Sequence, residues 1–182
     1  TRPGSQAVAL EEELARVLPV VKGLAAKGHK VSIDTRHARV MAAALDAGAA
    51  IVNDVTALTH EPASLPLVAG RRAPVVLMHM RGTPDTMLKL TQYADLEGEV
   101  EAYLTQRLAA CRAAGLGDDQ LCVDAGIGFA KTAEQSARLV AATRRLTALG
   151  VAVLVGASRK SFIGRLSRGE PPADRLPGSL AA

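Results

Sequence analysis

The sequence predicts an α/β fold in which helices flank a parallel sheet. Five short apolar runs alternate with longer segments that have the periodicity of amphipathic helices. The runs are apolar throughout rather than at every second residue, which is typical of strands buried on both faces. They cover residues 30–34, 49–54, 73–80, 120–124 and 151–156. Regular alternation of strand and helix indicates a parallel sheet.

Apolar stripes predict the helical segments that precede and connect these strands. The first covers residues 8–24, and Pro19 is expected to kink or split it. The later stripes are Val40, Ala44 and Leu45; then Leu96, Val100, Leu104, Leu108 and Cys111; then Leu139, Thr143, Leu146 and Leu149. Thr132 and Gln135 have the spacing of a capping box, so the last of these helices is expected to begin there.

Composition narrows the class of protein. With 182 residues, of which 48% are hydrophobic and 22% charged, the chain predicts one globular domain and excludes disordered, collagen-like and disulfide-scaffold classes. The net charge of +4 is spread along the chain, and 2% aromatic residues offer almost no surface for stacking on nucleic-acid bases. The basic stretch 159–168 favours a local anion site instead.

The cysteines and the hydropathy pattern suggest an intracellular protein. Cys111 and Cys122 lie in apolar surroundings without a CxxC motif, so both are expected to be reduced core residues. No apolar run approaches the ~20 residues that span a bilayer, and nothing resembles a signal peptide. We therefore expect a cytoplasmic location.

Polar residues stand at or just beyond the carboxyl end of every predicted strand. They are Asp34, Asn53 with Asp54, His79, Asp124, and, after Gly156 at the end of the fifth strand, Ser158, Arg159 and Lys160. In parallel α/β folds this edge of the sheet is where ligands bind. The pattern therefore predicts one ligand site.

Each of these residues also has a structural interpretation. Asp34 or Asp54 could cap the following helix, His79 could be a core histidine, and Asp124 could begin a turn. Arg159 and Lys160 could be a solvated helix start. Five coincidences on one edge favour a functional site.

The pattern alone leaves an open doubly wound sheet and a barrel as alternatives. Gly126 and Gly128 lack the third glycine of a dinucleotide fingerprint, and GASRKS at 156–161 lacks the first glycine and the spacing of a phosphate-binding Walker A loop. The sequence therefore gives no nucleotide motif to decide between the two folds.

Seven segments resemble the dihydropteroate synthase family in order and spacing, over essentially the whole chain. They are TRPGS (1–5), VSIDT (31–35), IVND (51–54), VVLMHMRGTP (75–84), DAGIGFAK (124–131), GASRKSFIG (156–164) and GSLAA (178–182). The resemblance implies a (β/α)8 TIM barrel of the pterin-binding type. It also implies condensation of 6-hydroxymethyl-7,8-dihydropterin diphosphate with 4-aminobenzoate in folate biosynthesis, giving 7,8-dihydropteroate and pyrophosphate. The resemblance further implies Mg²⁺ as cofactor, a homodimer, and the sensitivity to sulfonamides that this enzyme class has.

The resemblance assigns site residues position by position. The pterin-binding positions are Asp34, Asn53, Asp124 and Lys160, with Met78 and Gly156 lining an apolar slot. The positions for aminobenzoate and diphosphate are Thr1, Arg2 and Pro3 in a mobile loop, together with Phe129 and Ser161. Ala125 stands where the family usually has Pro, a change that the neighbouring glycines are expected to tolerate.

The chemistry of these residue types agrees with that assignment. Carboxylate and amide oxygens accept the N–H donors of a pterin edge, and a lysine donates to its carbonyl oxygen. The planar guanidinium of Arg2 suits a departing diphosphate. Because the C–O bond of the pterin methylene is expected to break largely before the amine attacks, no side-chain nucleophile is required. Catalysis would be mostly positioning and electrostatic stabilisation.

The resemblance also limits what these residues can supply. A full barrel runs to ~250 residues, and this chain corresponds to about strands 3 to 7. The family's first two strands, with an Asn metal ligand, and its last strand, with an Arg-x-His phosphate site, have no counterpart here, so the metal ligands stay unknown. We expect residues 1–182 to be one partial barrel domain that does not form a closed active barrel by itself.

Two other functions are kept as alternatives. One is a methyltetrahydrofolate methyltransferase that transfers a methyl group to a corrinoid, although Lys160 and the TRPG loop are not expected there. The other is a non-catalytic pterin-binding module, which the absence of the metal and phosphate elements would suit.

Overall fold

Five parallel strands lie side by side in chain order in the computed structural model, which describes residues 8–182. They are β1 (Ser32–Asp34), β2 (Ile51–Asp54), β3 (Val75–Met78), β4 (Leu121–Asp124) and β5 (Ala152–Leu154). Each pairs in parallel with the next. A doubly wound sheet would reverse its strand order at a switch point, whereas a barrel keeps chain order. The described strands therefore form an arc of a barrel, as the resemblance implies.

Helices precede, connect and follow the strands of this arc. They are α1 (Leu10–Ala25), α2 (Ala38–Asp46), α3 (Ser64–Gly70), α4 (Leu96–Ala113), α5 (Ala133–Ala141), α6 (Thr143–Leu146), α7 (Ser161–Arg165) and α8 (Leu176–Ala181). Short 3₁₀ turns occur at Met87–Lys89, Asp118–Gln120, Thr147–Leu149 and Pro172–Asp174. Within residues 8–182, no helix combines the length and apolarity needed to cross a membrane.

The main core lies between the outer face of the sheet and the helices. Val52, Leu77 and Val123 face outward and pack in one cluster with the buried stripe of α4. That stripe consists of Leu96, Val100, Leu104, Leu108 and Cys111, as predicted. Because side chains alternate along a strand, the intervening residues face the inside of the arc.

The inner face is polar near β1 and partly exposed along the other edge. Asp34 and Asn53 lie on it opposite each other in register, and Met78 lies opposite Asp124. On β5 the inward Leu154 is 42% exposed. Cys111 and Cys122 are both free thiols, as expected, but Cys122 is only half-buried because it lies on this inner face.

Two helix predictions need correction. α1 continues without a break through Pro19, so the expected split is wrong. Pro19 and Ala15 are exposed, so water can bind the Ala15 carbonyl that proline leaves without an amide partner. The predicted stripe from Leu139 to Leu149 is not one helix, because the α-helix is interrupted at Ala142, between α5 and α6.

The physical reason for this second difference is local hydrogen bonding. The Thr143 hydroxyl donates to the Leu139 carbonyl at 3.2 Å, and such bonds one turn back bend helices. The predicted start of α5 is confirmed: Thr132 Oγ1 accepts from the Gln135 amide at 3.2 Å, and Gln135 Oε1 accepts from the Thr132 amide at 2.9 Å.

Candidate functional site

The carboxyl ends of β1 to β4 bring four predicted site residues to one edge of the inner face. Asp34 and Asn53 end or nearly end β1 and β2, and Met78 and Asp124 end β3 and β4. Asp34 is exposed, Asn53 is half-buried, and Met78 and Asp124 are buried. In this register the polar Asp34 and Asn53 lie toward β1, and the apolar Met78 lies beside Asp124.

Asp124 is the buried carboxylate of the inner face, with 8% of the residue exposed. Burial raises its pKa, while a hydrogen bond from the Gly126 amide and the nearby Lys160 and Lys131 lower it. The Gly126 amide donates to Asp124 Oδ1 at 2.7 Å. Among the described residues no hydrogen-bond donor reaches Oδ2 of Asp124.

Gly126 makes the tight turn that holds this carboxylate. Its φ is +69°, and a Cβ built there would lie 2.0 Å from the backbone oxygen of His79. Only glycine fits both the backbone angle and the space. Gly128 has φ +81°, so the two glycines of the DAGIG segment adopt the left-handed conformations that its turn needs. Ala125 is buried and does not have a positive φ.

Lys160 enters the site from the loop after β5. Its Nζ donates to the Ile127 carbonyl at 3.0 Å and lies 4.6 Å from the centre of the Phe129 ring. Burial lowers the pKa of Lys160, and the carboxylates of Asp124 and Asp34 act in the opposite direction. The three charges are thus within electrostatic reach of one another across the inner face.

An apolar wall adjoins these charges. Met78 packs with the buried Val55, Met80, Met87 and Ala130, and Phe129 lies against them. Gly156 has open space where a Cβ would stand, so its role does not depend on a close approach. Ser161 is exposed at the first position of α7. Thr1, Arg2 and Pro3 lie outside the described residues.

Asp54 belongs to the fold rather than to the inner face. Its Oδ1 accepts from the Thr56 amide at 2.8 Å and from the Thr56 hydroxyl at 2.7 Å, and its Oδ2 accepts from the Leu58 amide at 2.9 Å. The turn it holds includes Ala57 and Leu58 at positive φ. Asp54 is therefore structural, but it does not cap the following helix as the sequence suggested: it holds the turn directly after its strand, and α3 begins only at Ser64 with Ala63 as its N-cap.

His79 is also a buried structural residue, only 3% exposed. Its ring is near those of Tyr93 and Tyr103, with centroids 6.1 and 5.0 Å away. Burial, with the charges of Lys131 and Arg81, lowers the pKa of His79 to about 3. The imidazole is therefore neutral near pH 7 and can accept a hydrogen bond.

Lys131 is the residue that sequence reasoning missed. It is 4% exposed, and its Nζ lies 3.0 Å from His79 Nδ1 and donates to the Phe129 carbonyl at 2.9 Å. Burial lowers its pKa to about 7, and Asp124 opposes this shift. The nearest sequence signal was the position of Lys131 between the DAGIGFA turn and the capping box.

The carboxylate oxygens at the inner edge are possible ligands for a metal ion. Mg²⁺ takes oxygen ligands and usually binds through one or two carboxylates plus substrate phosphates. Asp34, exposed at the end of β1, is the described carboxylate that fits this pattern, because Asp124 is buried beside Lys160 and Lys131.

Comparison with known proteins agrees with this geometry. The family model described as "Pterin binding enzyme" matches residues 1–182. A dihydropteroate synthase of Synechocystis sp. is 44% identical over 182 residues, which are 100% of this chain and 63% of the relative. The chain thus spans less than two thirds of the length of this curated relative.

Solved structures give the same result. A Yersinia pestis dihydropteroate synthase in a sulfonamide drug complex matches with TM-score 0.93 and 38% identity, over 99% of this chain and 65% of that one. A Xanthomonas albilineans dihydropteroate synthase in complex with 7,8-dihydropteroate matches with TM-score 0.88 and 43% identity, over 98% and 65% of the two chains. The family model matches the whole chain, and its relatives and solved structures agree. This chain therefore belongs to the pterin binding enzyme family.

Proposed function

We propose that the protein containing this chain is a dihydropteroate synthase. It would condense 6-hydroxymethyl-7,8-dihydropterin diphosphate with 4-aminobenzoate and release pyrophosphate. The observation that carries the proposal is the convergence of Asp34, Asn53, Asp124 and Lys160 at one edge of the inner face. The names of the relatives, and the 7,8-dihydropteroate bound by one of them, support the same reaction.

In this proposal the pterin binds by its polar edge. Oδ2 of Asp124 and the side-chain oxygen of Asn53 accept its N–H groups, and Lys160 donates to its carbonyl oxygen. Met78 and Gly156 line the slot beside the ring. Asp34 completes the polar rim and, with oxygen atoms of the diphosphate, fits Mg²⁺. When bound, that ion would neutralise charge on the diphosphate.

The second half of the site would bind aminobenzoate and the leaving group. Phe129 packs beside the aromatic ring, and Ser161 reaches its carboxylate. Thr1, Arg2 and Pro3 belong to the loop proposed to close over both, with Arg2 pairing with the phosphate oxygens. These side chains bind and orient, and the amine of the substrate is the nucleophile. The rate enhancement would come from alignment and charge stabilisation.

Domain, assembly and location complete the proposal. We assign residues 1–182 to a single barrel domain of a cytoplasmic homodimer. Because the Yersinia pestis relative was solved with a sulfonamide drug, we expect this protein to bind sulfonamides at the aminobenzoate position.

The test uses the natural protein that contains this chain and the variant Asp124→Asn. Replacing the buried carboxylate removes a charge-assisted acceptor, worth about 1.5–3 kcal/mol or roughly 10- to 150-fold in pterin affinity. Binding of a dihydropterin is measured by calorimetry, and dihydropteroate formation by product analysis. Asp119→Asn is the control, since Asp119 is an exposed carboxylate beside the other end of β4.

The outcomes separate the candidate functions. Pterin binding that depends on Asp124, together with dihydropteroate formation, supports the synthase. Pterin binding without condensation supports the non-catalytic module. Methyl transfer to a corrinoid supports the methyltransferase. Equal pterin affinity in wild type and Asp124→Asn contradicts the proposed pterin site.

A further inference from the structure

Two histidines and a glutamate meet outside the pterin site, between the loop after β1 and the loop after β2. They are His37, His60 and Glu61, and one potential ligand atom from each lies within 4.8 Å of the others. His37 Nδ1 is 2.8 Å from Glu61 Oε1, and the rings of His37 and His60 are 5.0 Å apart at 76°. We propose that these three side chains bind one divalent transition-metal cation, with Zn²⁺ as the best match.

The ligand types define the metal class. Zn²⁺ combines imidazole nitrogen with carboxylate oxygen, and sites with three protein ligands keep the fourth position for water. Ligands on a tetrahedral ion with bonds of about 2.1 Å lie about 3.4 Å apart. His37 Nδ1 and Glu61 Oε1 are hydrogen-bonded at 2.8 Å, so an ion would have to replace that bond and move the two atoms slightly apart. His60 is exposed and can rotate to close the remaining gap. A hard cation such as Mg²⁺ would instead select an all-oxygen set.

A hydrogen bond holds Glu61 in place, and a second carboxylate lies near His37. The Ala38 amide donates to Glu61 Oε2 at 2.8 Å, which fixes the carboxylate and leaves Oε1 directed at His37. On the other side of the His37 ring, Nε2 lies 3.9 Å from Glu13 Oε2 of α1. The Thr35 hydroxyl donates to the same Glu13 carboxylate. Zinc-ligating histidines usually donate their far N–H to such a carboxylate, and a shift of less than about 1 Å would bring the 3.9 Å contact between His37 and Glu13 within hydrogen-bond distance.

The position of His60 favours a metal site over a simple cap of α2. The bond from His37 to Glu61 and the bond from Ala38 to Glu61 cap the start of α2 and need no metal. Within residues 8–182, the His60 side chain makes no hydrogen bond, and its ring meets His37 edge-on. A metal gives that imidazole a function that the cap alone does not require.

The site would connect two loops that carry the pterin edge. His37 follows Asp34 by three residues, and His60 and Glu61 lie between β2, which carries Asn53, and α3. A bound ion would tie these loops together from the outer side of the rim. The proposal does not rest on the pterin function, because no pterin ligand belongs to the cluster.

The experiment uses the natural protein containing this chain, freed of metal by a chelator. Zn²⁺ is titrated by calorimetry, and Co²⁺ is used as a spectroscopic probe of coordination. We expect one ion per chain and, for Co²⁺, intense visible absorption of a four-coordinate site. His60→Ala and Glu61→Gln should each weaken Zn²⁺ binding by about 100-fold or more, above the 10–100-fold typical of outer-shell changes.

His29→Ala is the matched control, because His29 is also exposed but lies in the loop between α1 and β1, outside the cluster. It should leave Zn²⁺ affinity unchanged. Circular dichroism checks that each variant is folded, and Glu61→Gln retains an oxygen that can accept from the Ala38 amide. Equal Zn²⁺ affinity in wild type and His60→Ala, or no stoichiometric binding by the wild type, overturns the proposal.

Discussion

The buried ammonium of Lys131 shows how single residues of the site depend on their surroundings. Its Nζ contacts His79 Nδ1 and the Phe129 carbonyl, and Asp124 is the carboxylate that favours its charge. The sequence gives a lysine no mark of burial, since lysines are almost always exposed. Tertiary packing alone determines that this one is enclosed, which is why sequence reasoning missed it.

This burial predicts a pH dependence of stability. The pKa of Lys131 falls from 10.5 to about 7 in the folded protein. Between these values the unfolded chain binds more protons, so the Lys131 contribution raises the free energy of unfolding as pH increases, by up to about 1.4 kcal/mol per pH unit. Below about pH 7 the full penalty of burying the charge remains.

Urea denaturation of wild type, Lys131→Met and Lys27→Met at pH 7 and pH 9 measures this contribution. The wild type should gain stability relative to Lys131→Met as pH rises. Lys27→Met should follow the wild type, because Lys27 is exposed after α1. Parallel pH profiles for wild type and Lys131→Met would contradict a depressed pKa.

The turn at Gly126 gives a second residue-level prediction. Gly126→Ala must accommodate both φ +69° and a Cβ 2.0 Å from the His79 oxygen. Gly28→Ala is matched for the backbone, since Gly28 has φ +79° and open space around its Cβ position. The left-handed conformation costs about 1–2 kcal/mol in either variant. The overlap at Gly126 should add at least about 1 kcal/mol.

Denaturation of the two alanine variants and their affinity for a dihydropterin provide the measurement. Gly126→Ala should lose pterin affinity as well as stability, because the Gly126 amide positions Asp124. Gly28→Ala should lose stability only. Equal losses in both variants would show that the close approach to His79 contributes nothing.

At the scale of elements, the strands were easier to predict than the helices. All five strands lie inside the predicted runs, because continuous β-branched and apolar residues bounded by turn residues have few alternatives. α3 was not assigned a stripe, since its seven residues are too few to show helical periodicity. The interruption after α5 depends on one threonine hydroxyl, which an apolar pattern does not reveal.

The sheet edge was predictable for the same reason that the strands were. Parallel strands place their carboxyl ends together, so Asp34, Asn53 and Asp124 could be grouped before any coordinates. The residue-by-residue contacts could not. Asp54 follows Asn53 directly, yet strand alternation turns it outward to cap the Thr56 turn. The cluster of His37 with His60 and Glu61 joins two loops whose approach no local pattern encodes.

The capping box of α5 makes a prediction for a single element. Thr132→Ala removes the acceptor of the Gln135 amide and should cost about 1 kcal/mol of stability. Thr105→Ala, in the exposed middle of α4, removes only a bond to the Glu101 carbonyl and should change stability by less than about 0.5 kcal/mol. Denaturant midpoints of the two variants give the comparison. Equal costs would mean that the cap does not determine where α5 begins.

At the scale of the whole molecule, the two faces of the sheet differ. The outer face is covered by α1 to α5 and forms a continuous core. The inner face is only partly covered: Ala152 and Leu154, the inward residues of β5, are both exposed, and 42% of Leu154 is accessible. Sheets with an exposed apolar face and unpaired edge strands associate with one another. The stability of this arc therefore depends on what lies against its inner face.

That dependence predicts how the 182 residues behave when expressed alone. We expect residues 1–182 alone to melt without a sharp cooperative transition, to bind a hydrophobic dye strongly, and to form no dihydropteroate. The physical reason is that the inward apolar side chains near β5 would face water, and burying them is worth about 25 cal/mol per Å². Calorimetry, dye fluorescence and product analysis of residues 1–182 provide the measurement. Cooperative melting together with condensation by the isolated chain would show that the arc is self-sufficient, so that its open inner face costs less than its outer core provides.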